Sequence, residues 1–223
     1  MAKSANQKLK LLLLRQLLLT GSDEDHPIPT AALIEALARQ GVHAERKSIY
    51  DDMETLRLSG LDVQLRRERP PGWFVGAREF ELAELKLLVD AVQSSRFITR
   101  RKSDTLIRKL EGLASRYQAG QLQRQVYVSG QVKADNEGIY YNVDQLHAAI
   151  AAGQGVRFRY FDYNSRKQKV YRRDGAQYTV TPYGLVWDNQ NYYLVGLDAA
   201  HGDVRHYRVD KMSGIEPAPP AGG

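Results

Sequence analysis

The sequence predicts an α+β protein with a helical first half and a β-rich second half. Leucine crowds the early part of the chain, whereas of 13 tyrosines only Tyr50 and Tyr117 precede Tyr127. Leu, Ala and Lys favour helix, while aromatic and β-branched residues favour strands. The apolar period agrees: residues recur at helical spacing early on and alternate with a period of two from Val156. At 223 residues, 43% hydrophobic and 26% charged, the chain is globular in composition and long enough for about two to three small domains.

The first helix is expected over Gln7–Leu19, ended by Thr20-Gly21-Ser22. An acidic turn, DEDHPIP, leads to Thr30 as an N-cap, and Leu33, Ile34 and Leu37 carry a second helix to Gln40, where Gly41 ends it. A third amphipathic helix runs from Arg46 to Ser59 on Ile49, Met53 and Leu56, closed by Gly60. Leu61, Val63 and Leu65 then alternate as a strand, Pro70-Pro71-Gly72 turns the chain, and Trp73-Phe74-Val75 returns.

Helix, helix, tight turn, helix, hairpin is the order of a winged helix-turn-helix. A third helix of this kind fits the major groove, and a basic hairpin beside it reaches neighbouring phosphates. The candidate DNA-binding residues are Arg46, Lys47, Ser48 and Tyr50, with Arg57 further along the helix and Arg66, Arg67 and Arg69 at the hairpin. The same order also builds protein-interaction modules, and Asp51, Asp52 and Glu54 set negative charge on the same helix.

The middle segment reads as two amphipathic helices. Glu79–Ser95 carries Leu82, Leu85, Leu88, Val89 and Val92; the second, capped by Thr99 or Ser103, carries Leu106, Ile107, Leu110 and Leu113. Such helices provide dimer contacts or connect domains. Arg100-Arg101-Lys102 is an exposed turn or a contact to DNA backbone, and QVYVSGQV, residues 125–132, suggests a strand.

The last third begins with a short helix, Asn142–Ala152, with Asn142 as N-cap. Val156, Phe158 and Tyr160 then face one way, and Arg157, Arg159 and Phe161 the other. Strands follow at Lys169–Arg173, at Gln177–Trp187 (bent or bulged at Pro182), at Asn191–Asp198 and at Asp203–Met212. One helix and five short strands match a small Sm-like β-barrel. The expected organisation is a winged helix-turn-helix at 1–78, a helical linker or dimerisation segment at 79–140, the barrel at 141–216 and a flexible tail at 217–223.

In the barrel, Tyr193, Arg205 and Arg208 bring an aromatic face and guanidiniums onto neighbouring strands, with Tyr183, Tyr160 and Arg159 as further ligand-binding candidates. Bases stack on aromatics for roughly 1–3 kcal/mol each, and Arg grips phosphate in a fork. The other reading makes the tyrosines packing residues, and Tyr192 and Tyr207 are assigned to the core.

Composition narrows the classes. With no Cys there are no disulfides, thiolate zinc sites, iron–sulfur ligands or Cys nucleophiles, which fits a reducing cytoplasm. The longest apolar run, Leu11–Leu14, stops at Arg15, and a membrane span needs roughly 18 such residues, so no membrane partner is expected. The net charge of +6, from 32 basic and 26 acidic residues, fits a polyanionic partner but is spread along the chain. The five histidines lack metal-ligand spacing, and nucleophile-elbow, phosphate-loop and dinucleotide motifs are missing. No enzyme, metal or cofactor is expected.

Two sets of residues carry a family resemblance. RKSIYDDMETLRLSGLDVQ, GWFVG and FELAELKLLVDAVQSSRFIT resemble the N-terminal half of WYL-domain transcriptional regulators. Pro182–Val186, Tyr192–Gly196 and Arg205–Lys211 are similar to the WYL domain, whose motif stands here as Tyr192-Tyr193-Leu194, with Tyr in place of Trp. The resemblance implies a recognition helix at 46–58 that includes Ser48-Ile49-Tyr50, and a domain that senses nucleic acid or nucleotide-like ligands. Many members have Arg where this chain has Asp51. A homodimeric regulator of double-stranded DNA is the expected function. The alternative is an accessory protein that binds single-stranded DNA or RNA through the WYL-like domain.

Overall fold

A computed structural model describes residues 6–122, 138–166 and 168–220. They form two compact units: Met1–Gln93 with Asp104–Tyr127, and Ser94–Ser103 with Val128–Gly223. The middle segment is therefore divided between the units, because part of it packs on the β-rich half. The strand expected at 125–132 lies outside the described residues.

The first unit opens with α1 (Gln7–Gly21), α2 (Thr30–Ala38) and α3 (Arg46–Leu58), followed by an antiparallel hairpin of β1 (Val63–Arg66) and β2 (Gly72–Val75). The leucine and isoleucine stripes read from the sequence meet in one core: Leu14 and Leu18, Leu33 and Leu37, and Ile49, Met53 and Leu56, closed by Trp73 and Val75. α3 ends in a Schellman pattern, with the Leu61 N–H donating to Leu56 O at 3.1 Å and Gly60 at φ 93°, a left-handed value that penalises a Cβ. The hairpin is bound back to the chain before α2 by an Ile28–Trp73 bridge. Gly72 permits it: a Cβ there would lie 2.6 Å from the Ile28 backbone carbon.

Thr30 does not cap α2. It is the first helical residue, after Pro29, and its hydroxyl accepts the Trp73 indole N–H at 3.0 Å instead. The middle segment gives α4 (Leu82–Ser94), α5 (Arg100–Glu111) and α6 (Arg116–Leu122). Leu85, Val89, Ala114 and Leu122 form its small core. Of the two caps open for α5, Thr99 serves: its hydroxyl accepts the Lys102 N–H at 3.2 Å. Ser115 and Gln118 exchange side-chain and backbone bonds at the start of α6, a reciprocal capping box.

The second unit comprises α7 (Gly138–Ala151) and six strands: β3 (Gly155–Tyr163), β4 (Lys169–Tyr171), β5 (Gln177–Asp188), β6 (Asn191–Asp198), β7 (Asp203–Arg208) and β8 (Met212–Ala218). α7 starts before Asn142. That residue sits inside the helix, and its amide donates to Met212 O at 3.1 Å rather than capping. The sheet runs β4-β3-β5-β6-β7, with β8 pairing β3. A 3-10 turn at Val209–Lys211 divides the strand expected over Asp203–Met212. Among the described strands β7 pairs only β6 and β8 only β3, so the expected Sm-like barrel is not closed. β8 also runs into the segment expected as a tail, where Ala218 is buried opposite Gly155. β5 is bulged between Pro182 and Gly184, since a strand proline cannot donate to the ladder. Leu146 of α7 packs over Val156, Phe158, Val180, Leu194 and Tyr207. Among the described residues no helix is long and apolar enough to cross a membrane.

Candidate nucleic-acid interface

α3 has two faces with different work. Its inner face is clamped by Lys10 of α1, only 6% exposed, whose ammonium donates to the Ser48 hydroxyl and pairs with Asp52 at 2.7 Å. Ser48, expected at DNA, is thereby turned inward. Asp52 is neutralised in the same contact and adds no charge to the outer surface. Lys10 was not singled out in the sequence, since a lysine amid leucines reads as the polar edge of a helix, and its partner lies 42 positions away.

The outer face carries Arg46 and Lys47, both exposed, and Tyr50. The Tyr50 ring stands edge-on to Trp73 at 5.0 Å, and the Arg46 guanidinium lies 6.0 Å from the Tyr50 centroid. These rings seat the start of α3 on the hairpin. A groove of about 290 Å³ opens there, lined by Thr30 and Ala31, by Arg46 and Tyr50, and by Pro71 and Gly72.

The remaining candidates divide. Arg57 is a strut: its Nε donates to Val63 O at 2.6 Å, its Nη1 pairs with Glu54 at 3.0 Å, and its guanidinium lies 5.7 Å from the Trp73 ring centroid. Arg66 is tied to the Glu24 carbonyl at 2.8 Å. Arg67 and Arg69 are exposed at the tip of the hairpin. Arg46 and Lys47 of α3 and Arg67 and Arg69 of the hairpin are thus exposed, and so are the carboxylates of Glu45, Asp51 and Glu68.

This region is held in place by a buried carboxylate. Asp23, 4% exposed, accepts hydrogen bonds from the Ser115 hydroxyl, from His26 Nδ1 at 2.6 Å and from the His26 backbone at 3.0 Å. Burial alone would raise its pKa; the bonds from Ser115 and His26 outweigh burial and hold it below the ordinary value. His26 stacks on Tyr117 of α6 at 3.7 Å, and Arg78 donates to Ser22 O at 2.6 Å.

In the second unit the ligand candidates do not converge. Tyr193 and Arg208 are direct cross-strand partners and so share a face. Arg205 lies opposite Gly196, two residues from the buried Tyr207, and so belongs to the other face. Both arginines are engaged nearby. Arg208 forks onto Asp210 at 3.0 and 2.8 Å and reaches Asn191 at 2.9 Å; Arg205 binds Asp203 at 2.7 Å. The bonds to Asp210 and Asp203 raise the two guanidinium pKa values further.

Tyr160 is a core residue, 8% exposed, whose hydroxyl accepts the Arg208 N–H, and burial raises its pKa. Tyr183 on β5 is 58% exposed, and Arg159 is exposed on the outer side of β3. Sequence reasoning missed a buried network at the β6–β7 turn. Asp198, fully buried, accepts from Tyr207, from His201 Nδ1 at 2.9 Å and from the Ala200 N–H at 2.8 Å. Here too burial pushes up and the hydrogen bonds win, leaving the carboxyl below its ordinary value.

No curated protein matches the chain. Among solved structures, proteasome accessory factor B/C (PafBC) of Arthrobacter aurescens aligns over 99% of this chain at 18% identity and a TM-score of 0.32; this chain spans 36% of the length of that one. The family model for the WYL domain matches residues 141–217, which take in α7 from Tyr141 and the sheet from β3 to Pro217 of β8. The second unit of this chain is therefore built on a WYL domain.

Proposed function

We propose that the chain is a DNA-binding transcription regulator, with α1–α3 and the hairpin acting as a winged helix-turn-helix and the WYL domain sensing a nucleic-acid or nucleotide-like ligand. The observation that carries this reading is the sorting of charge on α3. Asp52 and Glu54 pair with Lys10 and Arg57, while Arg46 and Lys47 of α3 and Arg67 and Arg69 of the hairpin stay exposed. A polyanion approaching that edge meets the cations Arg46, Lys47, Arg67 and Arg69, set against the exposed carboxylates of Glu45, Asp51 and Glu68. α3 enters the major groove, and the hairpin arginines take flanking phosphates. The working form is a homodimer that reads half-sites about one helical turn apart, ~34 Å.

The alternative, an accessory single-strand-binding protein, draws its affinity from Arg205 and Arg208. Both are engaged by Asp203 and Asp210, so a phosphate must displace a carboxylate to reach them. The duplex reading stands ahead on that ground.

Selecting bound fragments from the source genome's duplex DNA with the intact chain, near physiological salt, tests it. Enrichment of a two-fold symmetric site is the expected result. Weak, salt-sensitive retention without a motif would overturn it in favour of single-stranded ligands.

A further inference from the structure

Ser94–Ser103 groups with the second unit, although α4 before it and the rest of α5 after it group with the first. Aromatic contacts hold the segment. Phe97, in the turn between the helices, meets Trp187 at 5.2 Å and Tyr192 at 5.4 Å between ring centroids, both edge-on. Those two rings are cross-strand partners on β5 and β6, themselves 4.6 Å apart. Lys102 adds a cation 4.4 Å over the Tyr140 ring of α7, and Thr99 and Ser103 are buried.

Tyr192 is the first residue of the motif that names the domain, and the structure gives it a different neighbour from Tyr193. Successive side chains of a strand point to opposite faces. β6 therefore turns Tyr192 toward Phe97 and Tyr193 toward the face it shares with Arg208. The two tyrosines share one stretch of backbone, so a displacement of β6 produced at Tyr193 is imposed on Tyr192 and on the ring packed against it.

We infer that Phe97 is a positioning residue that fastens the start of α5 to the motif strand, so that occupancy of the WYL domain is passed into the helices that continue from that segment. The inference rests on the WYL domain being the ligand-binding half of a DNA-binding protein. By linkage, DNA binding alters ligand affinity through the same contact and by the same factor.

The test uses the intact chain, Phe97→Ala and Phe97→Leu, the last keeping apolar bulk. Hydrogen exchange without any ligand comes first. Phe97→Ala is expected to speed exchange at least about ten-fold in residues 94–103 and again in 104–111, while β5 and β6 keep their protection. Acceleration that stops at residue 103, or that spreads through β5 and β6 alike, overturns the proposal.

The second arm measures duplex affinity with and without single-stranded poly-dT as the probe. The factor by which poly-dT changes duplex affinity in the wild type is expected to fall to about one in Phe97→Ala and to return in Phe97→Leu. An unchanged factor in Phe97→Ala overturns the role of Phe97. A wild-type chain that retains no duplex defeats the DNA-binding reading instead, and the exchange arm still decides on Phe97.

Discussion

The two basic regions of this molecule are alike in composition and opposite in arrangement. On α3, Asp52 and Glu54 are drawn into pairs with Lys10 and Arg57, and the cations Arg46, Lys47, Arg67 and Arg69 are left at the surface with Asp51 and Glu68. On β6 and β7, each candidate arginine folds onto a carboxylate two residues away, Arg205 onto Asp203 and Arg208 onto Asp210. A count of basic residues treats these regions as equals. What separates them is pairing: Arg205 and Arg208 each hold a carboxylate two residues away, while among the described residues no ion pair engages Arg46, Lys47, Arg67 or Arg69.

Each region is also pinned by a buried aspartate with a histidine three residues on: Asp23 with His26, and Asp198 with His201. The largest expected effect lies there. Asp23→Ala removes the shared acceptor of Ser115 and His26 and is expected to cost about 2 kcal/mol in urea unfolding, as for a buried donor left without its acceptor. A loss below about 1 kcal/mol would mean that the loop is held by packing alone.

The next prediction sharpens the contrast itself. Arg46→Ala with Lys47→Ala should lower the salt slope of duplex binding by about 1.8, so that raising salt four-fold weakens this variant about ten-fold less than the wild type. Arg205→Ala with Arg208→Ala should leave that slope where it is. Equal slopes for the two variants would erase the distinction between the regions.

Arg57 tests the boundary within α3. As a strut to the Val63 carbonyl it should, when replaced by Ala, reduce stability by about 1 kcal/mol and leave the slope of log affinity against log salt unchanged. A slope change of about one would return it to the phosphate-contacting set.

The smallest effect concerns acid. Asp23 and Asp198 both have folded pKa values below the ordinary one, so the unfolded chain takes up their protons first. Their contribution is fully present above the unfolded value of about 3.9 and is lost as pH falls through the lower folded values. Asp23→Asn should therefore flatten the fall in stability below about pH 4 relative to the wild type. An identical acid limb in the two proteins would contradict the assigned shift.

Much of the fold is legible because periodicity is local. The stripes of Leu33 and Leu37, of Ile49, Met53 and Leu56, and of Val156, Phe158 and Tyr160 are readable within one element and all reach a core. Caps and sites were less legible because their partners are distant. Thr30 looks like an N-cap until Trp73 takes its hydroxyl, and nothing near Ser48 in the sequence shows that Lys10 reaches it. The Arg208–Asp210 fork is different, since the two lie only two residues apart in the sequence. It was hidden by reading straight through as one strand a stretch that turns at Val209–Lys211.

The open sheet has one more consequence. Among the described residues β7 ends the hydrogen-bonded path of strands, so apart from the Arg208 N–H, which the Tyr160 hydroxyl accepts, its outer edge presents backbone donors and acceptors of the kind that recruit a strand from another molecule. Asp203, Arg205, His206 and Arg208 crowd that strand with polar bulk, and the ion pairs that weaken them as phosphate ligands also hold them along it. Polar side chains of this kind blunt an open edge, and a valine at position 203 or 205 would favour edge-to-edge stacking of these domains.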